Sequence, residues 1–187
     1  SNFSNNSFGI FGGAQCNAAI DTCTFFNNLY GITQIARGSI NYCMFKYNSV
    51  GIGGGVGAVR PLIINCLLDS NQTGFLSLFN SILDNCIIRH NQQGVMSFQS
   101  SFSYNMIQNS IIDSNSNYGI SICGDDSIIN CSIKNNGLGL IDNQSNSFQN
   151  FITKNKIEIN NTGVVFYHQQ QFFCNMICNN LAYAFVD

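Results

Sequence analysis

A chain that repeats one short pattern from end to end can bury its apolar residues only by stacking the copies, and this chain repeats throughout. One asparagine recurs at Asn6, Asn28, Asn48, Asn71, Asn91, Asn115, Asn136, Asn160 and Asn180, at intervals of 22, 20, 23, 20, 24, 21, 24 and 20 residues. A glycine follows three or four residues later, at Gly9, Gly31, Gly51, Gly74, Gly94, Gly119, Gly139 and Gly163, and the column fails only at Tyr183. Three residues before each asparagine stands Phe, Leu or Ile, from Phe3 to Ile177. Five residues before that, a second apolar column runs from Ile20 to Phe172.

Such a repeat is too short for two packed helices. Its Asn, Ser, Gly and β-branched Ile favour short strands between turns, and no segment sustains the i, i+3, i+4, i+7 spacing of a helix. Three strands per repeat, stacked about 4.8 Å apart, predict an all-β fold: a right-handed single-stranded parallel β-helix, or solenoid, of about nine coils with about 22 residues per coil. The six-residue period of the left-handed form is absent. Residues 1–187 read as a single β-helix domain. The chain starts inside a coil without an initiating Met, so it is expected to be a segment of a longer chain or to associate end to end.

Seven Lys and Arg against nine Asp and Glu leave a net charge of −2. That is too little positive charge to neutralise a run of phosphates, which argues against nucleic acid as a partner. No apolar run reaches the roughly 18 residues of a membrane span. Amides carry the polarity instead: 29 residues are Asn. In stacked coils a repeated Asn becomes a ladder that bonds its own coil and the next without charge. The predicted structural ladder is Asn28, Asn48, Asn71, Asn91, Asn115, Asn136, Asn160 and Asn180, with Asn65, Asn85, Asn109 and Asn130 forming part of a second at the preceding corner. The glycine column is expected to need either positive φ or close backbone approach.

Cys23, Cys43, Cys66, Cys86 and Cys131 share a column in which Ser110 fills a gap. They are in phase with the inward apolar residue two positions on, so they are predicted to point into the core. Parallel stacking gives a poor disulfide torsion, and a linear row does not converge tetrahedrally as Zn requires. Reduced thiols acting as small hydrophobes are expected. No metal site and no cofactor are assigned.

The stretch from Asn109 to Gly139, with Asn-Ser-Ile-Ile-Asp-Ser-Asn, Tyr-Gly-Ile-Ser-Ile and Ile-Asn-Cys-Ser-Ile-Lys-Asn-Asn, resembles the right-handed parallel β-helix repeat proteins of the periplasmic copper-pathway and pectate-lyase-like type. The resemblance spans essentially the full length and implies a fold, not a reaction. Near the start, Gly12-Gly13-Ala14, Phe25-Phe26-Asn27-Asn28 and Phe45-Lys46-Tyr47-Asn48 are similar to the repeats of chlamydial polymorphic outer-membrane proteins and their protist relatives, which implies surface adhesion. Later coils depart from that pattern by using Leu or Ile in place of Phe.

Residues just before the core position should face outward, and among them Met44, Leu67, Ile87 and Ile111 form an apolar stripe. It is expected either to be covered by a loop or further chain, or to be a contact surface. Acids are sparse. The adjacent pair Asp125-Asp126 is similar to the Asp-Asp element of pectin-type hydrolases, without that family's His-Gly and Arg-x-Lys companions; the competing reading is a polar turn at a coil corner. Asp69 and Asp113 share a register with Arg89 and Lys134, a mixed-charge edge. His90 and His168 lie in unrelated registers, so no Ser, His and acid constellation is proposed and no catalytic residue is assigned. Of the glycosylation sequons at Asn2, Asn5, Asn71, Asn130, Asn143 and Asn160, Asn71 and Asn160 are expected to be too buried for modification.

These features favour a non-enzymatic structural or recognition module of a cell-surface or filamentous protein, extracellular or at the cell surface, contacting a protein or carbohydrate surface. One alternative is a polysaccharide lyase or glycoside hydrolase acting on acidic polysaccharide through Asp125 and Asp126. The other is an intracellular scaffold, for example on a cytoskeletal lattice, where reduced thiols would be natural.

Overall fold

The computed structural model describes residues 1–13, 16–54, 60–77, 80–97, 104–142, 150–167 and 170–185; Asn143 and His168 lie outside them. One coil shows the plan: strand Pro61–Ile64, a corner, strand Leu67–Asp69, a second corner and strand Thr73–Ser77, with the next coil's first strand at Ile82–Asp84. Repetition of that plan builds three parallel sheets of nine, nine and eight strands among the described residues. We refer to them by the strand each contains from this coil, as the Leu67, Thr73 and Pro61 sheets. The chain is therefore an all-β parallel solenoid. No helix among the described residues is long and apolar enough to cross a membrane.

Register follows the two columns read from the sequence. Leu68 lies between Phe45 and Ile88, and Ile88 faces Ile112. On the Pro61 sheet, Ile63, Leu83, Ile107 and Ile128 stack in the same way. A third inward column, one residue past each glycine, runs through Ile52, Phe75, Val95, Ile120 and Leu140. All three are buried and meet in one continuous core. At the N-terminal end the rings of Phe3, Phe25 and Phe45 stack, with centroids 5.0 and 4.7 Å apart and planes 7° and 3° off parallel.

Each coil turns two of its corners with a residue in the left-handed region. Asn27, Tyr47, Ser70, His90 and Ser114 do so at one, and Tyr42, Asn65, Asn85, Asn109 and Asn130 at the other. Asn tolerates that conformation better than most residues because its short side chain bonds locally. The repeated glycines are not among the positive-φ residues, so of the two expected reasons close approach applies. A Cβ on Gly119 would lie 2.7 Å from the Gly139 carbonyl oxygen and 2.9 Å from Asn136 Nδ2.

Directly after the left-handed residue of the second corner, at Ser70 or His90 for example, comes the asparagine ladder. Asn91 Oδ1 accepts from Asn71 N at 2.8 Å and from Asn71 Nδ2 at 3.0 Å, while Asn91 Nδ2 donates to Asn115 Oδ1 and to the carbonyl of Leu68. The pattern recurs from Asn28 to Asn180. Asn71 and Asn160 are buried in it, out of reach of modification in the folded chain.

At the first corner, between the Pro61 and Leu67 sheets, the cysteine column makes the corresponding bonds. Cys66 Sγ donates to the carbonyl of Ile40 and Cys86 Sγ to that of Ile63, while Cys23 N donates to Cys43 Sγ. Ser110 takes the bond from Cys86 N. Beyond Cys131 the column continues as Asn155 and Asn175, two members that reading the cysteines alone passes over. A third ladder precedes the Pro61-sheet strands: Ser81, Asn105, Asp126, Asn150 and Gln170. The row Asn65, Asn85, Asn109 and Asn130 is different in kind. It points outward and bonds in pairs, Asn85 to Asn65 and Asn130 to Asn109, and between the pairs Asn109 turns to Asp84.

Candidate functional site

Strand alternation sends the residue before each inward position of the Leu67 sheet to solvent. Met44, Leu67, Ile87 and Ile111 lie in register on consecutive strands. Met44 is 41% exposed, Ile87 39% and Ile111 41%, while Leu67 is half-buried. The column is polar at both ends, at Thr24 and Ser132. Beside it, Tyr42 and the outward amides Asn65, Asn85 and Asn109 complete an open groove of about 350 Å³ lined with Leu67, Ile87 and Ile111, with Cys66 and Cys86 at its base. The lining carries no charged residue. In the sequence the stripe and the amide row stand as separate columns. What joins them is the tight corner that brings the ends of adjacent strands together.

Two residues along the same strands runs a charged column, Lys46, Asp69, Arg89, Asp113, Lys134 and Glu158, alternating in sign at every coil. Arg89 Nη2 lies 3.3 Å from Asp69 Oδ2, Lys46 Nζ 4.0 Å from the same oxygen, and Lys134 Nζ 3.9 Å from Asp113 Oδ2. Stacking out of turn would place like charges in contact, so the column favours the observed register. The stacking also corrects the separation of His90 from the acids: its Nδ1 is 3.1 Å from Asp69 Oδ1, which also accepts from Ser70 Oγ at 2.9 Å. Serine and histidine both contact the carboxylate rather than each other, so this is not a nucleophile activated by a base.

Burial opposes ionisation of Asp69, but hydrogen bonds from Ser70, His90 and Arg89 outweigh it and hold the carboxyl below its ordinary value. At Asp113 burial is likewise outweighed, by Asn135, Ser114 and the Lys134 charge. The unfolded state therefore binds more protons than the folded one in the acid range. The stabilisation is complete above the unfolded carboxyl pKa of about 3.9 and is lost as pH falls through the lower folded values. Urea denaturation at successively lower pH is expected to show that loss, and Asp69→Asn to make it shallower.

The acidic pair divides. Asp126 is 1% exposed, inside the third ladder, with its carboxylate accepting from Asn105 N, Asn105 Nδ2, Ser97 Oγ and Cys123 N. Burial nonetheless pushes its pKa up, so its contribution to stability runs opposite to that of Asp69, diminishing as pH rises through its folded value. Asp125 is half-buried and lines a cleft of about 140 Å³ with Arg60, Asn80, Tyr104, Asn105 and Ser127. The geometry is that of a polar corner rather than two carboxylates facing one substrate.

The cysteines are the donors a soft metal would seek, since thiolates suit such ions. All nine are free. Burial pushes Cys131 up to about 12. Cys66 also rises to about 12: its hydrogen bond with Cys43 lowers it, but that with Cys86 and burial outweigh this. Cys86 is held below the ordinary thiol value by its bond with Cys66. Among the described residues no three His, Cys, Asp or Glu side chains are placed to hold a metal ion together.

The sequence profile of the family described as periplasmic copper-binding protein (NosD) matches residues 62–186. No curated protein matches the chain, and no solved structure does.

Proposed function

The chain belongs to the NosD family, and we propose that it is a non-catalytic recognition and structural module of the cell envelope, with the amide-edged apolar groove as its contact surface. The observation that carries this reading is the unbroken outward column Met44, Leu67, Ile87 and Ile111 beside the row Asn65, Asn85 and Asn109. A contiguous exposed apolar patch with a polar rim is how interaction sites are built. The uncharged lining favours a neutral partner surface, protein or carbohydrate, and the rigid ladders beneath hold the groove in one shape. The periplasmic description of the family supports an envelope location.

The test is retention of fluorescently labelled chain on intact cells and on isolated envelope material. Leu67→Ser with Ile87→Ser is expected to abolish most retention while the urea midpoint changes little, because Ile87 is exposed and Leu67 lies outside the buried core. Unchanged retention, or a large loss of stability, would overturn the reading. A rival reading, cleavage of acidic polysaccharide, rests on Asp125 sharing its cleft with Arg60 and Tyr104. New reducing ends or unsaturated products from pectin or alginate, absent with Asp125→Asn, would replace recognition by catalysis.

The family description names copper, and the donor set here does not fit that ion. The soft ligands of the core stand in a row, each sulfur hydrogen-bonded to backbone carbonyls. His90, the histidine among the described residues, is held by Asp69.

A further inference from the structure

We infer that the cysteine column is a hydrogen-bonding ladder in which sulfur stands in for an asparagine amide, and that this member of a family described by copper does not hold copper there. Three observations converge. First, the column changes chemistry without changing geometry: the position occupied by Cys66, Cys86 and Cys131 is filled by Ser110, Asn155 and Asn175 in other coils. Cys131 N donates to Asn155 Oδ1 as Cys86 N donates to Ser110 Oγ.

Second, the outgoing bond is conserved in geometry from sulfur to amide. Cys66 Sγ reaches the Ile40 carbonyl at 3.4 Å, Cys131 Sγ that of Ile107 at 3.6 Å, and Asn155 Nδ2 that of Ile128 at 2.9 Å. In these three cases the acceptor is the inward apolar residue three places before the preceding coil's member of the column; Ser110 donates instead to Gln108 in its own coil, a carbonyl position that Cys66 and Cys131 also reach. Carbonyl oxygens of the preceding coil and of the same coil thus surround the thiols of Cys66, Cys86 and Cys131 as acceptors, an environment that keeps the proton a copper thiolate would have lost. Third, the core thiols lie one per coil along the solenoid axis, and no three donors converge among the described residues. What this position selects is a small side chain with an acceptor for a neighbouring coil and a proton for a carbonyl, that of Gln108 in its own coil for Ser110 and that of a neighbouring coil for Cys66, Cys131 and Asn155.

Two measurements test the inference. In urea denaturation, Cys66→Asn is expected to keep the fold and shift the midpoint upward, since an amide donates to the Ile40 carbonyl more strongly than a thiol and brings an acceptor oxygen as well. Cys66→Val, of similar size without a donor, is expected to shift it downward. The reverse order would show that the position selects apolar packing and would overturn the ladder. In an anaerobic competition for Cu(I) against the chromophoric chelator bicinchoninate, the folded chain is expected to leave the metal with the chelator. The same chain unfolded in urea, its nine thiols released, is expected to withdraw it, which shows the assay responds. Withdrawal of copper by the folded chain, lost in a Cys66→Asn, Cys86→Asn double variant, would overturn the inference.

Discussion

Asn115→Ala is expected to destabilise the chain by about 4 kcal/mol, since each buried polar group left unsatisfied costs about 1–3 kcal/mol. Asn115 is fully buried. Its Oδ1 accepts from Asn91 N and from Asn91 Nδ2, both at 3.0 Å, and its Nδ2 donates to Asn136 Oδ1 at 2.9 Å and to the Ile88 carbonyl at 3.1 Å. Alanine removes all four bonds at a corner enclosed by the coils on either side. Two donors of Asn91 lose their acceptor, and Ile88 loses its amide donor. Asn85→Ala, at an exposed amide of the outward row, is expected to stay within about 0.5 kcal/mol. Urea denaturation of the two variants checks both, and equal effects would mean that water satisfies the buried ladder.

Phe45→Ala is expected to cost about 3–5 kcal/mol, the range for deleting a buried aromatic side chain. Phe45 is fully buried, stacked on Phe25 at 4.7 Å, and in register with Leu68 of the next coil. Its removal opens a cavity and also forfeits an aromatic pair. Because the next coil fills this position with leucine, Phe45→Leu is expected to cost less than about 1.5 kcal/mol, as volume-tolerant core exchanges do. Each coil contacts chiefly its neighbours. Hydrogen exchange should therefore rise first in the strands of Phe25, Phe45 and Leu68 and least near Ile157. Uniform loss of protection along the axis would show instead that the solenoid unfolds as one cooperative unit.

Much of the fold is legible in the sequence because stacking turns a position into a column. Phe3 to Ile177, Ile20 to Phe172, and Asn28 to Asn180 recur in one register because each residue packs on its own counterpart one coil away. The candidate groove was half legible. The alternation that places Leu67 and Ile87 outward is a local property of a strand, whereas the adjacency of Tyr42, Asn85 and Ile111 depends on how sharply the corner turns. The third ladder hid for a chemical reason. Ser81, Asn105, Asp126, Asn150 and Gln170 share a hydrogen-bonding task but span four residue types, so no single letter runs through the column.

The amino-acid sequence by itself determined the period, the inward columns and the asparagine ladder, since these follow from the identity of side chains that must stack on their own kind. Only the tertiary structure decided which unlike residues share a task. It placed Asp126 within an amide ladder and His90 and Ser70 on the Asp69 carboxylate, and it gave sulfur the bonds of asparagine. The reason is distance. Residues 20 to 24 positions apart meet at hydrogen-bonding range only once the coils are stacked, and such a bond depends on where donor and acceptor stand, not on which residue carries them.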